Sequence, residues 1–563
     1  MKTSCAFLTF LLLAATAAFA QSTDDQARYA EIAKNAAQQF ATARVDQTRP
    51  TVPITTPGPN VELTLDDATA RALEKNLDIA VERLNPELQD WSIARIRAAY
   101  LPTFTSVIGR QSRINAPTST LNGGFIVDTD TNTYNSGLSQ AVPFYGGSFS
   151  FQFNNNKQVS NNSLSNFNPA FNSNFAANYT QPLLRNLAID NNRQQLKITQ
   201  INKDISEVQL KGTIATTVAS VRNAYWELLY AIQALDVNKG ALDLAQKLVA
   251  DNKARVEVGT MAPLDVVQAE AEAATRVQAV ALAEAAVQTS ELALKRLIVS
   301  GTEDPLWRSS ITPVDRPTFR SDAPDVEAAV KKALSSRTDL EAARQTLASN
   351  DVTMRFLHNQ TLPGLDLSAN YGAVGVGGTQ FRRASTSVTA PIIETIPGGF
   401  GDAWNSLTAR SYPNWNVALN FSYQIGNSTT DASYARAKVQ RNQTAAQLRA
   451  LELSVATEVT NAALSVASGL KRYEAAQVAR ELAETRLQAE QSRFEVGLST
   501  NFFVVQAQRD LATAQNTELR ALLDYRRAQV DFERSQETPA NRGSGITAIA
   551  GGGAGGAATG GGQ

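Results

Sequence analysis

Two long stretches of the chain carry apolar residues at alternating spacings of three and four positions. The first stretch includes Ile214, Val218, Val221, Tyr225, Leu228, Ile232, Leu235 and Leu242, and the second includes Leu448, Leu451, Val455, Val459, Ala462, Val466, Leu470 and Tyr473. This spacing is typical of helices that pack along a continuous seam. It predicts helices over about 185–258 and 427–496, each roughly 105–110 Å long at ~1.5 Å per residue.

Each long helix is predicted to turn back at a glycine. Gly259 and Gly497 follow the two seams, and glycine is the preferred residue just beyond a helix end. After them the pattern predicts returning helices over 263–299 and 499–537, so the chain contains two helical hairpins. Shorter helices are predicted over 63–100 and 324–360.

Other segments alternate between apolar and polar residues with a period of two, which is typical of β-strands. These segments are 103–110, 134–144, 147–156, 172–181, 365–371 and 415–425. One side of each alternation is rich in Phe, Tyr, Trp and Leu, and the other is rich in Asn, Ser and Gln. Aromatic faces suit lipid and polar faces suit a water-filled lumen. The edge of a soluble β-sandwich is the alternative interpretation.

The chain contains an internal duplication. Leu73, Asp78, Arg83, Asp90, Leu101 and Pro102 recur 261 positions later as Leu334, Asp339, Arg344, Asp351, Leu362 and Pro363. The sequence Arg255–Gly259 recurs 238 positions later as Arg493–Gly497 with one substitution, Phe494 in place of Val256. Two collinear matches with similar offsets indicate a repeated unit of roughly 240–260 residues, which is too long for a solenoid repeat.

The duplication gives a predicted domain plan. The predicted segments are a signal peptide (1–20), an N-terminal extension with a Pro/Thr linker (21–60), a first repeat (61–300), a belt segment (301–323), a second repeat (324–537) and a disordered Gly/Ala-rich tail (538–563). Strands occupy about 103–181 and 364–425, and helical hairpins occupy about 185–299 and 427–537.

The composition argues against several classes of function. Lys and Arg number 52 against 53 Asp and Glu, and a nucleic-acid binder should instead show a basic excess. Cys5 is the one cysteine, so neither an intramolecular disulfide nor a multi-cysteine metal site is possible. His358 is the one histidine, and we interpret it as a residue that caps a helix end.

The sequence does not predict an enzyme, a cofactor or a metal site. The glycine-rich segment 375–379 has no lysine and no helix signal after it, so it does not resemble a phosphate-binding loop. Carboxylate pairs such as Glu270 with Glu272, or Asp66 with Asp67, are interpreted as ordinary helix-surface residues.

The N-terminal residues predict secretion. Lys2 precedes an apolar stretch over 6–18, and Ala18–Ala20 fits a small-x-small cleavage site that would leave Gln21 first. An N-terminal membrane anchor is the alternative. The absence of cysteine at the cleavage point predicts that the N-terminus carries no lipid anchor. After residue 20 the sequence has no apolar run near the ~20 residues of a spanning helix, so membrane insertion would require strands.

These features together resemble the TolC-like outer membrane efflux protein family. Leu-Pro precedes strands at Leu101–Pro102 and again at Leu362–Pro363, Gln181–Leu184 follows one, and an Arg-x-x-Val-Gly sequence marks both hairpin tips. The resemblance covers about 61–537. It implies a mainly α fold with a membrane β-barrel: a trimer sharing twelve strands, four per protomer, above an α-helical periplasmic tunnel. The sequence independently requires sharing, because four to six strands are fewer than the eight of the smallest single-chain barrels.

The resemblance implies a passive channel rather than an enzyme. Such a homotrimer crosses the lipid of the outer membrane. A periplasmic adaptor protein connects it to an inner-membrane transporter. The transporter supplies the energy for export of drugs, metals or secreted polypeptides, as in type I secretion. Two alternatives are a periplasmic coiled-coil adaptor and a secreted structural fibre. An adaptor would have one hairpin flanked by small β-domains, and a fibre would not need duplicated strand pairs.

The resemblance also assigns roles near the hairpin tips. In the family the periplasmic end is closed by helices tied by an aspartate on one hairpin and a Tyr/Arg pair on the other. Asp265 matches the aspartate, whereas Phe494 and Ser499 stand in the tyrosine and arginine positions. The family also has a ring of aspartates in the lumen, and the corresponding positions of this sequence are Phe503 and Gln506. The ionic tie and the acidic ring are therefore expected to be missing.

Each of these gate candidates also has a simpler interpretation. Asp265 is either a gate residue or a helix-start carboxylate favoured by the helix dipole after Pro263. Phe503 is either a core residue or part of an apolar pore ring that closes by dewetting. The tip residues resemble those that meet the adaptor, and a glycine helix cap is expected there in either case. The tip residues are Gly259, Thr260, Val496, Gly497, Leu498 and Ser499.

Overall fold

A computed structural model describes residues 59–116, 126–162, 164–315, 324–385, 390–426 and 428–539 of the chain. The signal peptide, nearly all of the 21–60 extension and the tail after 539 lie outside the described residues. The described chain forms two compact units. The smaller comprises 59–62 and 304–312, and the larger contains the rest.

The elements alternate between helical and strand segments in both halves. The first half contains β1 (Asn60–Leu63), α1 (Leu65–Lys75), α2 (Leu77–Ala98), β2 (Thr103–Asn115), β3 (Val127–Ala141), β4 (Ser148–Ser160), β5 (Phe167–Pro182), α3 (Asn191–Glu257) and α4 (Pro263–Ile298). The second contains α5 (Pro305–Arg308), β6 (Ser310–Pro313), α6 (Val326–Ser336), α7 (Thr338–Gln360), β7 (Gly364–Arg383), β8 (Ile392–Ile396), α8 (Phe400–Thr408), β9 (Tyr412–Ser422), α9 (Thr429–Glu495) and α10 (Asn501–Ser535).

The smaller unit consists of α5 and most of a two-stranded sheet formed by β1 and β6. The carboxylate of Asp304 caps α5 by accepting a hydrogen bond of 3.0 Å from the Leu306 N–H. The Thr312 hydroxyl donates to Asn60 Oδ1 at 2.7 Å and links the two strands. The 301–323 segment is predicted as a belt, and the structure describes it as far as residue 315.

The two helical hairpins have the predicted form. The outgoing helices α3 and α9 contain 67 residues each, about 100 Å at ~1.5 Å per residue, and α4 and α10 return beside them over 36 and 35 residues. Tyr225 and Leu228 of the first predicted seam, and Val455 and Val459 of the second, are fully buried. The heptad pattern therefore marks the faces along which these helices pack.

The two shorter helices predicted over 63–100 and 324–360 are each divided in two. The chain is extended at Asn76, between α1 and α2, and at Arg337, between α6 and α7. These residues lie 261 positions apart and occupy equivalent places in the repeats. Both are buried with polar partners: Asn76 caps α2 and donates to Leu297 O at 2.9 Å, and Arg337 donates to Ser535 O at 2.9 Å. These tertiary contacts favour the break, and the helical pattern continues through it.

The larger unit contains one antiparallel sheet with the order β2-β3-β4-β5-β7. The far side of β7 pairs with β9 over Gly364–Val374 and with β8 over Gln380–Arg383. The hairpin β3–β4 pairs in register from Ala141↔Ser148 to Thr129↔Ser160, and its outer sides pair with β2 and β5. This hairpin is therefore part of the sheet along its whole length.

The sheet has two chemically different faces. One row of directly paired residues is Phe104, Leu138, Phe151, Ala177, Tyr371 and Trp415. A row on the opposite face is Thr103, Ser139, Ser150, Asn178, Asn370 and Asn416. We call these the apolar face and the polar face. No described helix is both long and apolar enough to cross a membrane.

Helix α8 lies on the apolar face. Trp404 packs edge-on against Phe153, with ring centroids 5.4 Å apart. A Cβ atom on Gly375 would lie 2.0 Å from the Ala403 carbonyl oxygen, so glycine permits this close approach. The glycine-rich segment 375–379 is thus part of a strand, and its glycines make room for a helix.

Candidate gate and docking site at the hairpin tips

The two hairpin tips have the same backbone geometry. Gly259 and Gly497 adopt φ values of +77° and +78°, which residues with a side chain rarely adopt. At the first tip, Gly259 N–H donates to Val256 O (3.0 Å) and Thr260 N–H to Arg255 O (2.9 Å). At the second, the corresponding bonds are Gly497 to Phe494 (3.1 Å) and Leu498 to Arg493 (2.7 Å). This helix-capping motif satisfies the last carbonyl groups of each outgoing helix.

The tips present apolar side chains to solvent. Val258, Val496 and Leu498 are 74%, 70% and 80% exposed. Thr260 is also exposed, and its hydroxyl donates to Arg255 O at 2.9 Å. Rigid turns that display apolar side chains in this way are suited to contacting another surface.

Asp265 lies in the first turn of α4, two residues after Pro263. In the described residues its carboxylate forms no salt bridge, whereas its backbone oxygen accepts a hydrogen bond of 3.2 Å from the Asn501 side chain. The position near a helix N-terminus favours a negative charge. Within one protomer, the helix-start interpretation therefore explains Asp265 without an ionic tie.

Phe494 lies in the core between the hairpins. It is 8% exposed and clusters with Leu248 and Val504. The Arg255 guanidinium lies 4.5 Å from the centroid of its ring, an arrangement that favours a cation–π interaction. The residue in the tyrosine position thus contacts α3 through packing and an arginine, and not through Asp265.

Ser499 and Gln506 hydrogen-bond within the second hairpin. The Ser499 hydroxyl donates to Glu490 Oε2 at 2.8 Å. The Gln506 amide donates to Asp510 Oδ1 at 2.8 Å, and Asp510 also pairs with Arg486. Neither side chain hydrogen-bonds to the first hairpin in the described structure.

Phe503 projects from the protomer. It is 51% exposed, and its ring centroid lies 5.6 Å from that of Phe502, which is 61% exposed. Within one protomer Phe503 is therefore not a core residue. Two adjacent exposed aromatic rings near a tip require either a partner surface or a position at a pore.

A charged contact between the hairpins involves Glu272, and the interpretation of this residue as an ordinary surface carboxylate is wrong. Glu272 lies on α4 and is 3% exposed. Its oxygens accept hydrogen bonds from Arg276 Nε on the same helix (2.7 Å) and from Arg509 Nε on α10 (2.8 Å). Because Arg509 is 237 positions away, local sequence spacing does not reveal the pair.

The environment of Glu272 favours its charged form. Burial alone would raise its pKa, but the hydrogen bonds and positive charges of Arg509 and Arg276 outweigh burial and hold the pKa below its ordinary value. The same contact raises the pKa of Arg509. Glu272 is a buried charge, so leaving it without Arg509 is unfavourable, and the cluster therefore stabilises one relative position of α4 and α10.

A buried amide pair forms a second contact between the hairpins. Asn252 of α3 is fully buried and donates to Asn501 Oδ1 at 3.0 Å. Asn501 begins α10 and is 2% exposed. Its amide also donates to Asp265 O, so it joins both helices of the first hairpin. We call Glu272, Arg276, Arg509, Asn252 and Asn501 the cross-hairpin contacts.

Comparison with known proteins identifies the family. The model of the outer membrane efflux protein family matches residues 145–299 and 329–535, more than half of the chain. The chain belongs to the outer membrane efflux protein family. Comparison with curated protein sequences gives no match.

Solved structures of outer membrane channels share the fold of this efflux protein. The Campylobacter jejuni CmeC channel is 14% identical with a TM-score of 0.60, over 84% of this chain and 85% of that chain. The Vibrio cholerae VceC protein is 14% identical with a TM-score of 0.59, over 84% and 95% of the two chains. The open Neisseria gonorrhoeae MtrE channel is 17% identical with a TM-score of 0.57, over 84% and 88%.

Family membership confirms the central predictions from the sequence. The efflux protein is a passive outer membrane channel component and not an enzyme. The adaptor and fibre interpretations are not favoured, since the described residues form two long hairpins beside a large two-faced sheet.

Proposed function

We propose that three copies of this efflux protein form a duct through the outer membrane and the periplasm, without a lipid anchor. An inner-membrane transporter drives export, and a periplasmic adaptor links it to the duct. The repeats 61–300 and 324–537 supply equivalent parts of the wall and tunnel. The observation that supports this proposal best is the two-faced sheet beside long hairpins, because polar side chains suit a lumen and aromatic side chains suit lipid.

The adaptor is proposed to contact both hairpin tips. Val258, Val496 and Leu498 are exposed apolar residues held on rigid glycine turns. Their arrangement supports docking in which apolar side chains enter complementary pockets on helices of the adaptor.

A photocrosslinking amino acid at Leu498 in the native host tests adaptor docking. We expect an adduct that mass spectrometry identifies as a periplasmic adaptor protein. The control position is Ile425, which is 92% exposed and lies beside the sheet, far along the chain from either tip. A photocrosslinking amino acid at this position should give no such adduct. An adaptor adduct at Ile425 but not at Leu498 would contradict docking at the tips.

The same end of the duct is proposed to contain the gate. Asp265, Phe494, Ser499, Phe503 and Gln506 lie near the tips, and in a trimer each recurs three times. We assign closure to the cross-hairpin contacts and to an apolar ring of Phe503. Phe494 stabilises the hairpin core behind this ring. Apolar constrictions close pores by excluding water, so the closed state does not require an ionic tie through Asp265.

A further inference from the structure

The sheet of this protein is wider than the resemblance implied. Six strand positions lie side by side in the described residues: β2, β3, β4, β5, β7 and, beyond β7, the shared position of β9 and β8. The resemblance implied four. The two additional positions belong to the hairpin β3–β4, which lies between β2 and β5.

Near the helical end of the sheet, the hairpin β3–β4 has the chemical pattern of a barrel wall. Leu138 and Phe151 continue the apolar row across the sheet, and Ser139 and Ser150 continue the polar row. In an extracellular loop, apolar and polar residues would not need to alternate in register with those of the neighbouring strands. Strands that separate lipid from a wet lumen must alternate in this way.

The hairpin is also anchored at the end of the sheet next to the helices. Its turn at Tyr145 and Gly146 has positive φ values, and Gln181 donates a hydrogen bond of 2.8 Å to Tyr145 O. A Cβ on Gly146 would lie 2.7 Å from Asn186 O, just before α3. The turn is therefore packed where the sheet meets the helices, and the strands extend from there with the rest of the wall.

The two edges of the sheet fit another copy of this chain. All residues of β2 are exposed, as are all but one of β9, and neither strand has an outer partner in the described structure. Unpaired backbone groups are not tolerated in lipid, and six strands cannot close alone. Because β2 leads away from the helical end and β9 leads back to it, β9 of one copy can pair antiparallel with β2 of the next.

We infer that three copies close a barrel of eighteen strands, six from each chain, with β2 and β9 as the edges that meet. This inference rests on the proposed trimeric duct. Adjacent strands lie ~4.8 Å apart and barrel strands tilt by about 40°, so eighteen strands give a diameter of about 36 Å. Twelve strands at the same tilt give about 24 Å. The membrane pore therefore has roughly twice the cross-section that four strands per chain would provide.

Paired cysteines test which strands meet between copies and, separately, whether the hairpin β3–β4 belongs to the wall. Thr105→Cys with Asn420→Cys places thiols on the polar face of β2 and β9, two residues from the helical end of each strand. Thr105→Cys with Thr180→Cys is the second pair: it places thiols on the polar face of β2 and β5, again two residues from the helical end of each strand, with β3 and β4 between them. Cys5, the one natural cysteine, precedes the predicted cleavage site.

We expect a short bis-maleimide to convert Thr105→Cys/Asn420→Cys into covalent dimers and trimers in outer membranes. Under mild oxidation, Thr105→Cys/Thr180→Cys should form no disulfide within a chain, because three strand spacings of ~4.8 Å separate the two positions. An intrachain disulfide from this pair would show that β2 lies beside β5 in a twelve-stranded wall and would overturn the inference. Native mass spectrometry separates this result from failure of the proposed function: a trimer with no β2–β9 cross-link refutes only the eighteen-stranded wall, whereas a monomer refutes the duct.

Discussion

The contact between Glu272 and Arg509 makes a quantitative prediction about gating. Replacing Arg509 with Ala removes the one charge that reaches Glu272 from the other hairpin, and Arg276 remains on the same helix as Glu272. Hydrogen bonds to charged groups contribute about 1.5–3 kcal/mol. The Arg509 side chain is 51% exposed, so solvent screening places its contribution near the lower limit of this range.

A loss of about 1.4 kcal/mol changes an equilibrium about tenfold. If the contact stabilises the closed position of the hairpins, Arg509→Ala should raise the ratio of open to closed states about tenfold per chain. Single-channel recording in planar bilayers measures this ratio directly. Hydrogen exchange at the start of α4 and α10 should increase in parallel, because these turns lose a shared contact.

Arg486→Ala is the matched control for Arg509→Ala. Arg486 pairs with Asp510 at 2.8 Å in the same region, but both partners belong to the second hairpin, and their side chains are 57% and 34% exposed. This variant should leave the open probability nearly unchanged, since exposed ion pairs contribute about 0–1 kcal/mol. If Arg509→Ala and Arg486→Ala have the same open probability, the cross-hairpin contact does not hold the gate closed.

Three further predictions follow from the same geometry. Because the folded-state pKa of Glu272 is lowered, its charge stabilises the closed state above its ordinary pKa, and this stabilisation is lost as the pH falls through the lowered pKa. Acid should therefore favour opening of the channel. The Glu272→Gln channel should already be open at neutral pH, and its open probability should not depend on this titration. Phe503→Ala should raise bilayer conductance more than Asp265→Ala, and the reverse order would show that an ionic tie through Asp265 closes the pore. The buried hydroxyl of Tyr225, whose pKa burial raises to about 12, lies 3.0 Å from both Leu63 O and Asp315 Oδ2. Tyr225→Phe removes this hydroxyl and should lower the free energy of unfolding by about 1–3 kcal/mol. An unchanged melting temperature would contradict this prediction.

The long helices and their turns were predictable from the sequence, because each has a residue pattern with a single structural cause. The seam through Tyr225 and Val455 is regular because each long helix packs along much of its length. The glycine turns were predictable because positive φ leaves little choice of residue at Gly259 and Gly497. The membrane strands were predicted short: β2 extends to Asn115, beyond the predicted 110, because Arg110 and Arg113 interrupt the apolar alternation.

Contacts between distant parts of the chain were not predictable from the sequence. Glu272 lies in an alanine-rich helix, where it resembles a solvated carboxylate until α10 brings Arg509 beside it. Asn252 and Asn501 each lie in helices with many polar residues, and their pairing depends on the packing of two separate hairpins. The breaks at Asn76 and Arg337 likewise depend on partners elsewhere in the chain.

Electrical recording of the purified protein tests the proposed duct most directly. Protein extracted from outer membranes and reconstituted into planar bilayers should produce discrete conductance steps without nucleotide, and Phe503→Ala should produce larger steps. A membrane-inserted trimer that gives no steps, either with the natural sequence or with Phe503→Ala, would contradict the assignment of this protein as a channel.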